Sequence, residues 1–119
     1  METALWIVQA LLAAIFLTAG LTKLTQPRLT LAAGPMSWAA EVNDQQFRTI
    51  GLLEVLGAVG LILPAALGIA PTLTALAAVG LALTMVGAIV THLRMGEPER
   101  LLMPILVLVL ALIVAIERF

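Results

Sequence analysis

Cysteine is absent from this sequence, and histidine occurs only once. Without cysteine the chain has no disulfide, no thiolate nucleophile and no cysteine-based metal site. One histidine does not complete a zinc or iron site, and a bis-histidine haem would need two copies of the chain. The motifs of a phosphate-binding loop, a hydrolase elbow and a nucleophile triad are missing too. We therefore predict no metal and no other cofactor.

Charged residues are also scarce. They make up 11% of the chain, the net charge is −1, and hydrophobic residues reach 62%. A soluble domain has about a quarter of its residues charged and just under half apolar. No basic cluster is present, so a nucleic-acid partner is excluded. This composition predicts an integral membrane protein whose main partner is the lipid bilayer.

The apolar residues form four long segments, at about residues 4–24, 47–67, 72–93 and 101–116. A membrane-spanning helix needs about 20 mostly apolar residues, and helices are the default in lipid. The amino terminus lacks a basic region, so we expect a permanent first span rather than a signal peptide. The sequence predicts an all-α fold, an antiparallel four-helix bundle that forms a single transmembrane domain over residues 1–119.

Residues 25–46 form the only long connection. The pair Gly34-Pro35 indicates a loop, and Trp38 suggests a segment at the level of the lipid headgroups. Most of the basic residues lie in this connection, in the third one or beside them: Lys23, Arg28, Arg48, Arg94 and Arg100. The positive-inside rule then places connections 25–46 and 94–100 in the cytoplasm, and the protein in a cell (inner) membrane.

Glu54 lies in the apolar stretch "GLLEVLGAVGLILP", with no lysine or arginine within five positions. It is about 9 Å along the helix from Arg48. A carboxylate in lipid costs at least a few kcal/mol, so it should face the bundle interior and find a partner. Lys23 and His92 are the nearest candidates in depth, because spans that alternate in direction bring all three to the same side of the membrane.

Helical spacing predicts that these three ionisable residues point into the bundle. Each shares a helix face with small residues, which mark close helix contacts in membranes. These are Gly20 beside Lys23, Gly51 and Gly57 beside Glu54, and Gly80, Thr84 and Ala88 beside His92.

Three motifs at these positions together resemble the DoxX-like family of small four-helix membrane proteins. They are "FLTAGLTKL" at residues 16–24, "GLLEVLG" at residues 51–57 and "AIVTH" at residues 88–92. The segment "GPMSWAAEV" resembles the family's Gly-Pro segment before the second span. The resemblance covers nearly the whole chain, in the same order.

The resemblance implies a four-helix fold and a polar core of Lys23, Glu54 and His92. It also implies a link to quinone chemistry, because some family members are membrane subunits of quinone-linked sulfur oxidation or of other redox complexes. The absence of cysteine excludes the thiol chemistry of quinone-reducing enzymes of the vitamin K type.

The first functional hypothesis is a membrane-embedded enzyme that acts on a small lipophilic ligand, isoprenoid-like or a quinone. Glu54 and His92 would be the catalytic acid and base, and Lys23 would hold a developing negative charge. The reaction would be of the isomerase or cyclase type, or a quinone-linked oxidoreduction. The segment "GPMSWAAEV" would be the lid. The residues that we expect to bind substrate are Trp38, Thr84, Gly57 and Arg94.

The second hypothesis is a non-catalytic subunit that anchors a redox complex, and the third is a small transporter. In the second, Glu54 is a structural pin, while Lys23 and Arg94 are cations that reach the interface. The third is disfavoured because polar residues gather on one side of the membrane only. The sequence allows two kinds of protein partner, a second copy of the chain or a redox protein.

Overall fold

Four long helices run antiparallel and form one bundle. The computed structural model describes residues 2–34, 36–68 and 71–118, without the side chain of Pro71. The helices are α1 (Glu2–Thr25), the short α2 (Arg28–Ala32), α3 (Asp44–Ala66), α4 (Pro71–Arg94) and α5 (Leu102–Arg118), and the two 3₁₀ turns are Ser37–Glu41 and Pro98–Arg100.

Four helical segments are long and apolar enough to cross a membrane, so the prediction of four apolar helices is confirmed. The second span begins at Asp44, three residues before the predicted start, because Asn43 caps it. The Asn43 side chain accepts a hydrogen bond from the Gln46 backbone N–H at 2.8 Å, and the Gln46 side chain accepts one from the Asn43 N–H at 3.1 Å. This capping box satisfies two backbone donors that a helix start leaves free.

The bundle has two ends of different character. We call the end where α1 finishes and α3 begins the Lys23 end, and the opposite one the Gln9 end. The main hydrophobic core fills the middle and the Gln9 end, with members on all four long helices: Leu5, Leu12, Phe16, Ala58, Leu61, Ala78, Leu81, Ala82, Val107, Ala111, Val114 and Ala115.

Gln9 closes its end of the bundle through two hydrogen bonds. Its side-chain amide donates to the Leu61 carbonyl at 2.7 Å and accepts from Arg118 Nε at 2.8 Å. Arg118 also donates to Glu2 at 2.7 Å and lies 5.3 Å from the centroid of the Trp6 ring. The buried amide thus joins α1 to α3 and α5, and its polar groups are satisfied within the protein.

Helices α1 and α3 cross closely at two glycines. A Cβ built on Gly20 would lie 2.6 Å from the Gly51 carbonyl oxygen, and one on Gly51 would lie 2.8 Å from the Lys23 Cβ. The packing faces predicted around Lys23 and Glu54 are therefore confirmed.

The prediction for Gly80 is wrong. This glycine is exposed, and a Cβ there would meet nothing within 4 Å. Each four-residue step along a helix of 3.6 residues per turn rotates the side chain by about 40°. Gly80 therefore lies about 120° around α4 from His92, on a different face.

Candidate functional site

The Lys23 end contains a cavity of about 650 Å³. It forms because α4 leaves the core there: no residue from 83 to 94 is buried, whereas five residues between 74 and 82 are. The α1/α3 pair and the α4/α5 pair consequently diverge toward this end. The walls are mostly apolar and include Phe16, Ile50, Met85, Pro104 and Val107.

Lys23 and Glu54 meet at the inner wall of this cavity. Lys23 Nζ lies 2.7 Å from Glu54 Oε1, and the two side chains are only 6% and 5% exposed. At this distance the ammonium donates a charge-assisted hydrogen bond to the carboxylate. No other described residue donates to Oε1, so the pair keeps unused hydrogen-bonding capacity. The close crossing of Gly20 and Gly51 brings the two side chains together.

Arg48 fixes the end of α1 beside this pair. Its guanidinium donates to the Lys23 carbonyl at 2.9 Å and also to the Leu24 carbonyl. These are among the last carbonyls of the helix, which have no partner within it, and a cation also interacts favourably with a helix C-terminus. Arg48 thus holds the backbone that carries Lys23.

Trp38 covers the polar end of the cavity. Its ring lies 5.7 Å from Lys23 Nζ and packs against Phe47 with ring centroids 5.6 Å apart. The segment that carries it is fastened by Arg28, which donates to the Ala39 carbonyl at 2.9 Å and to Asp44 at 2.8 Å. The predicted lid segment therefore lies against the site, although its Pro35 falls outside the described residues.

His92 does not join the Lys23–Glu54 pair but binds Glu97. Its Nδ1 lies 3.2 Å from Glu97 Oε1, and the Ser37 hydroxyl donates to Glu97 Oε2 at 2.9 Å. Because a carboxylate can only accept, Nδ1 carries the hydrogen, and Nε2 of the neutral ring is left as the acceptor. Glu97 thus links the end of α4 to the segment that carries Trp38.

A glycine-terminated helix end positions Glu97. After α4, Gly96 has a φ of 68°, in the left-handed region that favours glycine. The Glu97 N–H donates to the His92 carbonyl at 2.9 Å, and the Gly96 N–H donates to the Leu93 carbonyl at 3.2 Å. This is the Schellman pattern, which folds the chain back over its last turn. The Glu97 side chain thereby returns to the ring of His92.

The bonds of Glu97 predict a pH dependence of stability. Hydrogen bonds from His92 and Ser37 hold its pKa below the ordinary value of 4.5, with a smaller opposing effect of burial. A carboxyl whose pKa is lowered on folding stabilises the protein above its ordinary pKa, and loses this contribution as the pH falls through the lowered value. We expect Glu97→Gln to melt below the wild type at pH 7, and the difference to shrink as the pH falls below the ordinary pKa of 4.5 and to vanish once it is below the lowered pKa. Thermal unfolding of both proteins in lipid nanodiscs measures the difference in melting temperature. A difference that does not change with pH would contradict this prediction.

Five of the seven predicted site residues line the cavity: Lys23, Trp38, Glu54, Thr84 and His92. Gly57 faces Leu81 instead, where a Cβ would come within 2.6 Å of a methyl group. Arg94 is exposed at the end of α4 and does not line the cavity. The roles of all seven remain predictions.

Sequence reasoning missed five polar residues in or around the site: Ser37, Arg48, Thr91, Glu97 and Arg100. Glu97 lies in a polar turn, where a carboxylate is ordinary, and only the glycine one position before it hints that the chain folds back. Within the described part of the chain, no group of three histidine, cysteine or acidic residues could hold a metal ion.

The comparison with known protein families supports the resemblance found in the sequence motifs. The sequence model of the DoxX-like family matches residues 7–114, which include the second and third spans, most of the first and fourth, and every residue discussed at the cavity. No curated protein and no solved structure gives a significant match. The chain is a membrane protein with four apolar helices and belongs to the DoxX-like family.

Proposed function

We propose that the chain binds a small lipophilic molecule in the cavity at the Lys23 end and performs acid–base chemistry on its polar end. The observation that carries the proposal is the mostly apolar cavity of about 650 Å³ that ends on the buried Lys23–Glu54 pair. Pockets of roughly 300–1,000 Å³ with apolar walls and a few convergent polar groups are typical of ligand sites.

Glu54 and Lys23 supply the acid–base chemistry in this proposal. The carboxylate takes a proton from the polar end of the ligand or returns one to it, and the adjacent ammonium stabilises negative charge that develops there. His92, whose ring is oriented by Glu97, is the second proton carrier at the cavity wall. These groups suit an isomerase or cyclase acting on an isoprenoid-like molecule, or proton delivery to a quinone.

One observation favours a second candidate, a non-catalytic subunit of a quinone-linked redox complex. The direct 2.7 Å contact between Lys23 and Glu54 is also what a structural pin between α1 and α3 would show. A pin alone, however, needs no adjoining cavity. The two candidates differ in what they predict for a variant that fills the cavity but leaves the pair intact.

The test is to fill the cavity from α4. Ala88 lines the cavity, whereas Val86, on the same helix, is 44% exposed and does not. We expect Ala88→Phe to lose at least about nine-tenths of a lipophilic compound that co-purifies with the wild type, because a phenyl ring occupies the space that such a ligand needs. Val86→Phe should retain it. Mass spectrometry of organic extracts of the purified proteins measures this.

Equal amounts of the compound in Ala88→Phe and Val86→Phe would refute binding in the cavity. The Glu54→Gln variant tests the chemistry separately. We expect it to co-purify with the unreacted substrate, whereas the wild type co-purifies with the product. The same compound in both would favour the subunit.

We also propose that the protein resides in a cell (inner) membrane with the Lys23 end toward the cytoplasm. The support is the positive-inside rule applied to Arg28, Arg48, Arg94 and Arg100, all of which lie at that end.

A further inference from the structure

The Lys23–Glu54 pair gives the polar end of the cavity both hydrogen-bond acceptors and hydrogen-bond donors. Glu54 Oε1 is buried, and Lys23 is its only donor among the described residues. A carboxylate has about four acceptor sites and an ammonium has three N–H donors, so the contact between the two leaves acceptors on Glu54 and donors on Lys23 for a ligand. The Trp38 ring, whose centroid lies 5.7 Å from Lys23 Nζ, covers one side of the ammonium. A ligand that fits this end must therefore donate to a carboxylate and accept from an ammonium.

The other polar residues of the wall do not supply Glu54 Oε1 with a donor. The Thr84 hydroxyl donates to the Gly80 carbonyl at 3.1 Å, and the Thr91 hydroxyl donates to the Gly87 carbonyl at 2.8 Å. Their single hydroxyl hydrogens are thus already used within α4. His92 Nδ1 is bound to Glu97, and Arg100 Nε lies 3.6 Å from the same carboxylate. The Nε2 atom of a neutral His92 is a further acceptor of the wall, so it also favours a ligand that donates.

We propose that the ligand of this cavity is a lipophilic alcohol or phenol, whose hydroxyl group donates to Glu54 and accepts from Lys23. This rests on the proposed function and names the chemical class of its ligand. A hydroxyl group presents the same donor and acceptor pattern as water, and it brings an apolar body to fill the cavity.

Other polar heads fit the pair less well. A ketone, a quinone carbonyl or an ether only accepts, so it leaves Glu54 with Lys23 as its sole described donor and forms no hydrogen bond to the carboxylate. A ligand carboxylate is repelled by Glu54, and a ligand ammonium is repelled by Lys23. For the quinone hypothesis, the form bound at this pair is therefore the hydroquinone, which is a phenol.

The route to the cavity suits a ligand that arrives from the bilayer. Ile15 on α1 and Met103 on α5 both line the cavity and are 39% and 62% exposed. An apolar body can therefore enter sideways between these two helices, with its hydroxyl group leading toward Lys23 and Glu54.

The test compares menthol, menthone and menthyl methyl ether, which share one carbon skeleton and differ in the polar group. Binding to the protein in lipid nanodiscs is followed by Trp38 fluorescence in a Trp6→Phe background, because Trp6 lies at the Gln9 end beside Arg118. Measurements with empty nanodiscs give the amount of each compound that partitions into the lipid, and this amount is subtracted. An Ala88→Phe variant shows which part of the binding occurs in the cavity.

We expect menthol to bind roughly ten- to a hundred-fold more tightly than either analogue, the range expected when one hydrogen bond to a charged group is lost. Equal or tighter cavity binding of menthone or the ether would overturn the hydroxyl assignment and leave the cavity as a ligand site. If none of the three binds saturably, or Ala88→Phe leaves the binding unchanged, the proposed function fails as well.

Discussion

Lys23→Met is expected to lower the free energy of unfolding by about 3–5 kcal/mol, because it leaves the Glu54 carboxylate buried without its countercharge. The side chain of Glu54 is 5% exposed, and Lys23 is the only cation that the described structure places within 4 Å of it. Reversible unfolding titrations in mixed micelles measure the loss. Arg94→Met is the matched control, since this exposed cation should change stability by less than about 0.5 kcal/mol.

The double variant Lys23→Met/Glu54→Leu separates the structural from the functional role of the pair. Replacement of a buried ion pair by apolar residues of similar volume is often neutral or stabilising. We therefore expect the double variant to regain most of the lost stability and to lose ligand binding. If Lys23→Met and Arg94→Met have the same free energy of unfolding, Lys23 and Glu54 do not interact in the folded protein.

Gly20→Ala is expected to lower the free energy of unfolding by about 1–3 kcal/mol through overpacking. The added methyl group would lie 2.6 Å from the Gly51 carbonyl oxygen and 3.0 Å from the Val55 backbone nitrogen. Backbone atoms cannot turn away as a flexible side chain can, so α1 and α3 must separate. That separation also draws Lys23 away from Glu54.

Gly87→Ala is the control for the intrinsic effect of replacing a helical glycine. A Cβ at Gly87 meets nothing within 4 Å. Alanine is a better helix former by up to about 1 kcal/mol, so this variant should be as stable as the wild type or more so. The same unfolding titrations apply. If Gly20→Ala has the same free energy of unfolding as Gly87→Ala, α1 and α3 do not pack closely at Gly20.

The spans and the Lys23–Glu54 pair were within reach of sequence reasoning, for a simple physical reason. Lipid demands apolar runs of a fixed length, and it confines a buried carboxylate to the interior of the bundle. A partner of Glu54 must lie at a similar depth in the membrane, and only Lys23 and His92 met that condition. The second of the two candidates, His92, instead binds Glu97, because the chain reverses at Gly96 and returns a carboxylate to the ring.

The cavity could not be predicted, because no periodic pattern encodes the divergence of α4 and α5 from the other pair. Apolar side chains in a membrane face either lipid or neighbouring helices, and hydropathy does not distinguish the two. The helix Arg28–Ala32 was likewise hidden within a connection interpreted mainly as a loop, whereas the turn Ser37–Glu41 lies where Trp38 had suggested a short segment at the headgroup level. The bonds of Arg28 to Ala39 and Asp44, which hold that connection in place, join residues far apart in sequence.

Close packing holds α4 against α3 only from the middle of the bundle to the Gln9 end, where Gly57 faces Leu81 and Gly60 faces Ala77. At the Lys23 end the cavity separates the two helix pairs, and the Ser37–Glu97 hydrogen bond links the end of α4 to the connection between α1 and α3. A molecule larger than the cavity of about 650 Å³ would therefore enlarge the cross-section of the protein in one leaflet and leave the other leaflet unchanged. The lateral pressure of the acyl chains opposes that expansion, so the packing of the lipids in that leaflet limits the size of the molecule that the site admits.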